Sequence, residues 1–185
     1  MDVTRFFHPV LRAAELRGSK PVRVVLDGTP LALFRDHRGG PAALLDQCPH
    51  RFAPLSAGRV TDDGRLACRY HGWRFDSTGI GESPSRARPR PCTVRAFQAI
   101  ERHEFIWVAS ADTPARAMPD IAPAGYALAG TISAQISAPL HVVLDNFSEN
   151  EHTPFVHTMF GWSESSLNTI AFDAENFDGR TEVRY

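Results

Sequence analysis

The chain has 185 residues, 43% of them hydrophobic, and a formal net charge of −1. That length fits one large domain or two small ones, and the near-neutral balance argues against nucleic acid or an anionic membrane as the main partner. Nineteen of the twenty basic residues are arginine, with Lys20 the single lysine, which reads as coding bias. No apolar run approaches the roughly 20 residues of a membrane helix. The first residues lack the basic-then-apolar pattern of a secretory signal, so a cytoplasmic protein is the default expectation. Three cysteines, Cys48, Cys68 and Cys92, make a poor disulfide framework, although spacing alone leaves a Cys48–Cys68 bridge open.

In chain order, residues 5 to 110 read as short strands broken by turns. "VRVVLDGTPLALFRD" is two apolar runs around Asp27-Gly28, a hairpin signal. "RDHRGGPAALLDQC" turns at Gly39-Gly40 and leads a strand into Cys48, and "RVTDDGRLACRY" turns at Asp63-Gly64 and leads into Cys68. Two more strands are expected over about 93 to 100 and 105 to 109. The Pro/Ala-rich stretch 111 to 126 reads as a linker. Beyond it, "GTISAQISAPLHVVLD" reads as a strand leading into a helix, "DNFSENEHTPFVHTMFG" as the helix, and "NTIAFDAENFDGRTEVRY" as two strands around Asp178-Gly179.

Two loops carry the chemistry. Cys48 and His50 form C-x-H, and after seventeen residues Cys68 and His71 form C-x-x-H. Two thiolates and two imidazoles suit a structural zinc ion, but zinc motifs usually pair Cys with Cys and His with His along the chain. Here each loop gives one of each. That suits a two-iron cluster in which one iron takes both thiolates and the other both imidazoles. Pro49 stiffens one loop, Gly72 permits close backbone approach in the other, and Trp73 is placed to shield a cluster from water.

"CPHRFAPLSAGRV…CRYHGWRFDSTG" resembles the cluster-binding segment of Rieske non-haem iron oxygenase large subunits, and the similarity runs from about Phe6 to Ala109. Arg69 stands where that family usually has Pro. The resemblance implies an α+β, β-rich fold with an all-β Rieske [2Fe-2S] domain over 5–110. A linker over 111–126 and the first part of a helix-grip (START/Bet v1-like) domain over 127–185 follow. Cys92 has no His partner nearby and reads as a partly buried thiol. The Arg86, Arg88, Arg90 run reads as a solvated loop, with docking of an acidic electron donor as the sharper alternative.

On a helix, Asp145, Glu149 and His152 are spaced to share a face, and Pro154 allows a bend that turns His157 toward the same point. Two His and a carboxylate make the facial set that binds non-haem Fe(II). An amphipathic helix with hydrogen-bonded histidines explains the same residues without a metal. "DNFSENEHTPFVH" resembles the mononuclear-iron motif of the same family, closest to its demethylase-like branch. The resemblance makes His152 and His157 iron ligands. It makes Glu149 a bridge between His71 of one subunit and His152 of the next in a trimer, and Asp145 and Asn146 the polar start of the motif.

The family's third ligand is a later Asp, and nothing matches Asp173, Glu175 or Asp178 to it, so the chain reads as an oxygenase cut short inside its catalytic domain. The first expectation is an oxygenase component with a [2Fe-2S] cluster and mononuclear Fe(II), fed by a flavin or ferredoxin reductase. It would insert oxygen into an aromatic or similar apolar substrate by hydroxylation or oxidative demethylation. The alternatives are a Rieske electron-transfer protein without catalysis of its own and a zinc-stapled binding protein.

Overall fold

The computed structural model describes residues 3–84, 90–114 and 134–148, together with 118, 125, 127, 129–130, 152–157, 159, 163, 165, 173–177 and 180–184. The chain divides into two compact units, Met1–Ala129 and Gly130–Tyr185.

The first unit holds strands β1 (His8–Arg12), β2 (Val22–Leu26), β3 (Thr29–Arg35), β4 (Pro41–Leu45), β5 (Arg59–Val60), β6 (Leu66–Ala67), β7 (Arg74–Phe75), β8 (Ile80–Glu82), β9 (Pro91–Thr93), β10 (Ala96–Arg102) and β11 (Phe105–Ser110). They form a six-stranded sheet in the order β1-β11-β10-β4-β3-β2 and a five-stranded meander β5-β6-β7-β8-β9. Every pairing is antiparallel.

The strand period of two explains how the core is divided. Along β3, Leu31 and Leu33 join one cluster with Leu16, Ala43, Ile106 and Val108. Ala32 and Phe34 join the other, with Leu44, Leu55, Val60, Leu66 and Phe75. β3 is therefore buried on both faces, which is why "LALF" reads as a continuous apolar run rather than an alternation. Cys48 and Cys68 belong to the second cluster, so both thiols sit at the edge of the core shared by the two sheets.

The Asp27-Gly28 hairpin forms as expected, with φ of 47° and 74° at its two turn residues. The β10–β11 turn uses His103 and Glu104, also at positive φ, with no glycine to announce it. One expected strand is corrected. The run 93–100 is two strands in two sheets, because β9 ends at Thr93 and β10 begins at Ala96. Val94 N–H donates to Gly79 O at 2.9 Å, while Arg95 O accepts from Leu45 N–H at 2.8 Å. The chain changes sheets across those two residues. Most of the expected linker, 111–126, lies outside the described residues, but Met118 packs on a small cluster of Phe7, Trp107 and Ala109.

The second unit holds α1 (Leu140–Ser148), α2 (Thr153–Val156) and the hairpin β12 (Asp173–Phe177) with β13 (Arg180–Arg184). The hairpin agrees with the sequence expectation, and its Asp178-Gly179 tip lies outside the described residues. The helical expectation is corrected in two ways. The helix starts at Leu140, within the stretch read as a strand leading into a helix, and residues 134–137, its expected strand part, are not in a strand. His152 and His157 are not on α1 but flank α2 as its two caps. Pro154 decides this. It lacks an N–H and is tolerated in a helix's first turn, so it starts a new turn of helix rather than continuing an old one. No helix among the described residues is long and apolar enough to cross a membrane.

Candidate metal centre

The two ligand loops are the same device built twice. Four residues separate Cys48 from Ala53 and Cys68 from Trp73. In the first loop Cys48 N–H donates to Ala53 O at 2.9 Å, and Phe52 N–H donates to Cys48 O at 2.8 Å. In the second, Cys68 N–H donates to Trp73 O at 2.7 Å, and Gly72 N–H donates to Cys68 O at 3.0 Å. The last loop residue is left-handed in both, with φ of 57° at Phe52 and 71° at Gly72. A glycine takes that conformation freely, whereas a phenylalanine is strained in it.

These loops bring the four predicted ligands together in two pairs. Cys48 and Cys68 are buried and close enough for their side chains to hydrogen-bond. Burial pushes the Cys48 thiol up to about 11. The N–H groups of His50 and Arg51, aimed at its sulfur, oppose the rise, and the neighbouring Cys68 adds to it. His50 and His71 are exposed, with ring centroids 4.6 Å apart and planes at 69°. Partial desolvation, then the charges of His71, Arg51 and Arg90, hold the His50 imidazole below its ordinary value and favour the neutral ring that a metal accepts. Trp73 stacks on His50 at 5.2 Å and 23° and packs against the core, which places it as a shield on one side of the pair.

This division separates the two metal chemistries. A tetrahedral zinc site needs its donors converging on one ion. Among the described residues no three His, Cys, Asp or Glu side chains do so. A two-iron cluster asks for two protein donors per iron, and the residues are sorted that way: thiols together and buried, imidazoles together and exposed. The donor set therefore fits a [2Fe-2S] cluster.

Cys92 is a partly buried residue of β9, paired opposite Gly81 and packed against the core. Burial raises its thiol, with Glu82 adding to the rise. Of the arginine run, Arg90 is described and its charge reaches His50. Arg86 and Arg88 lie outside the described residues.

In the second unit, His152 and His157 face each other with ring centroids 5.3 Å apart and planes at 70°. The α2 turn brings about this approach, since its two caps lie at the ends of a single helical turn. Asp145 and Asn146 are exposed on α1. Glu149 and Asp178 lie outside the described residues, as do the side chains of Asp173 and Glu175.

Sequence reasoning passed over three residues of the first site. Phe52 carries the strained turn. Tyr70 lies with its ring centroid 3.9 Å from that of His71 and is 58% exposed. Asp46, two positions before Cys48, is a buried carboxylate. The available signal for Asp46 was a lone acid at the end of the apolar run "PAALL".

Comparison with known proteins agrees with this geometry. The Rieske [2Fe-2S] domain family matches residues 6–98. The chain is 39% identical to the oxygenase component of dicamba O-demethylase from Stenotrophomonas maltophilia, over 83% of this chain and 46% of that protein. It is 35% identical to the chloroplastic chlorophyllide a oxygenase of Chlamydomonas reinhardtii, over 83% of this chain and 24% of that one. It spans less than half the length of these relatives. Crystal structures of dicamba monooxygenase superpose on it. One, bound to 3,6-dichlorosalicylic acid, covers 98% of this chain and 55% of its own at TM-score 0.78 and 31% identity. Another, with non-heme iron and dicamba, covers 64% and 38% at TM-score 0.58 and 40% identity. The relatives named above are an oxygenase component and an oxygenase, and the chain belongs to the Rieske [2Fe-2S] domain family.

Proposed function

We propose that this chain carries the electron-relay portion of a Rieske non-haem iron oxygenase component, with Cys48, Cys68, His50 and His71 holding a [2Fe-2S] cluster. The observation that carries the reading is the sorted donor set, two buried thiols beneath two exposed, facing imidazoles. Bound there, the cluster supplies one-electron transfer. The protein's part is to bury the thiol side in the core, aim loop N–H groups at sulfur, and leave the imidazole edges open as the exit for electrons.

His152 and His157 are the proposed ligands of a mononuclear Fe(II), which supplies dioxygen activation when bound. Their facing rings and the iron-containing relative support this role. By family resemblance, Glu149 accepts hydrogen bonds from His71 of one subunit and His152 of its neighbour in a homotrimer, giving a bonded path between the sites. Asp145 and Asn146 open that motif. The relatives include O-demethylases, which favours an aromatic substrate, oxidative demethylation or hydroxylation, and a flavin or ferredoxin reductase as donor.

The alternative reading is an electron carrier without catalysis of its own. Iron and acid-labile sulfide per chain, after anaerobic purification with iron supplied, separate the two. Three irons to two sulfides, falling to two irons in His152→Ala and His157→Ala, supports the oxygenase component. Two irons to two sulfides in the unmutated chain supports the carrier. A colourless, zinc-containing protein overturns both.

A further inference from the structure

The two ligand loops share their inner hydrogen bonds but not their foundations. The second loop stands on a β-ladder, because β6 and β7 run directly into it and pair Ala67 with Arg74 and Leu66 with Phe75. The first loop leaves β4 at Leu45 and returns into a one-turn 3-10 helix, Leu55–Ala57, which pairs with no strand. Nothing in the backbone closes that loop below Cys48 and Ala53.

A side chain closes it instead. Asp46 Oδ1 accepts from Ser56 N–H at 2.7 Å, and Asp46 Oδ2 accepts from Ser56 Oγ–H at 2.7 Å. Arg23 Nε lies 3.3 Å from the same Oδ2, across from β2. The Asp46 side chain is 1% exposed, and its backbone N–H is fixed to Pro30 O at 2.9 Å. A carboxylate held by two donors from a single residue has little rotational freedom, and bonds to a charged acceptor are stronger than neutral ones. Residues 47–55, which include Cys48 and His50, are thus pinched at their base.

We propose that Asp46 and Ser56 are positioning residues for the cluster, a clamp that takes the place of the missing β-ladder and fixes His50 against His71. The proposal rests on the cluster assignment above. It goes beyond that assignment in naming what holds the imidazole-bearing loop in register with its partner. The clamp acts through the loop and touches no ligand atom, so its loss leaves all four donors in place and changes their mutual geometry.

The test uses the full chain, loaded with iron and sulfide, as wild type, Asp46→Asn, Ser56→Ala and Ser56→Thr. The readouts are the electron paramagnetic resonance g-values, the visible circular dichroism, the midpoint potential, and the rate of cluster loss to a ferrous chelator. The melting temperature of each chain after cluster removal reports the purely structural effect. Asp46→Asn and Ser56→Ala are expected to shift the spectra and to lose the cluster roughly tenfold faster, the factor one charge-assisted hydrogen bond represents. Ser56→Thr keeps the hydroxyl and the N–H and is expected to restore the wild-type values. If wild type takes up the cluster and the variants match its spectra and loss rate, the clamp is overturned and the cluster assignment stands. If the variants change only in melting temperature, the clamp is overturned likewise. A wild type that takes up no cluster overturns the cluster assignment, and the clamp with it.

Discussion

His50 and His71 face each other with ring centroids 4.6 Å apart, although 21 positions separate them in the chain. Each is carried by a four-residue loop closed in the same way, yet His50 lies two residues after its cysteine and His71 three. The histidines meet because the loops stand on different sheets with the core between them. Their cysteines meet below because both loops start from strands that share that core.

The first consequence concerns the thiols. Cys48→Ser and Cys68→Ser each remove one of two buried donors and are expected to abolish the visible spectrum of the iron-loaded protein. Cys92 belongs to β9, opposite Gly81, and to neither loop, so Cys92→Ser is expected to retain it. Absorbance and iron content of the three variants check this.

The equivalent turn positions predict opposite responses to opposite substitutions. A non-glycine residue held left-handed costs roughly 1–2 kcal/mol, and a glycine costs some of that back through unfolded-state entropy. Phe52 is 69% exposed, so Phe52→Gly gives up little burial and is expected to stabilise the protein by about 0.5 kcal/mol. At Gly72 an added Cβ meets only Pro84 at 3.7 Å, ordinary contact, so Gly72→Ala is expected to cost strain alone, about 1 kcal/mol. Urea denaturation of both variants measures the two signs.

Gly64→Ala is expected to be far worse. Gly64 has φ of 74°, and its added Cβ would lie 2.0 Å from His37 N, a backbone atom that cannot swing aside. The loops after β3 and β5 must then part, at a cost of about 3 kcal/mol or more. A loss of that size in denaturant midpoint at unchanged slope is the expected readout.

Trp73 has two roles that substitution can separate. It packs on the core and stacks on His50. Trp73→Phe keeps an aromatic face and is expected to hold the cluster. Trp73→Ala opens both contacts, with an expected stability loss of about 2 kcal/mol, below the value for a fully buried ring, and faster bleaching of the cluster in air. Comparing bleaching rate with melting temperature for the pair tests whether shielding is distinct from packing.

The sequence already showed most of the first site, because its signals are local. Candidate ligand types and offsets are written directly in "CPH" and "CRYH", and the turns at Gly39-Gly40 and Asp63-Gly64 place strands before each loop. It was less informative where a long-range partner decides the structure. The run 93–100 looks like one strand by composition, but the carbonyl of Gly79 and the amide of Leu45 pull neighbouring residues into different sheets. Around the second histidine pair, spacing put Asp145 and His152 on one helix, whereas His152 and His157 flank a separate turn. Helical periodicity is blind to where one helix stops and the next begins, and Pro154 starts a turn of its own.

What the sequence determined by itself was the chemistry on offer: which four side chains are candidates for the ligand set, and that imidazole and thiol come in equal number from two loops. Donor type is a property of single residues, and loop spacing a property of a few neighbours. Only the tertiary structure decided how the donors are sorted, thiols inward and imidazoles outward, and how the first loop is held. Ser56 and Arg23 are ten and twenty-three positions from Asp46, and no local pattern joins them. They meet because β2, the end of β4 and the short helix at Leu55–Ala57 converge at one corner of the core, where a buried carboxylate must find donors.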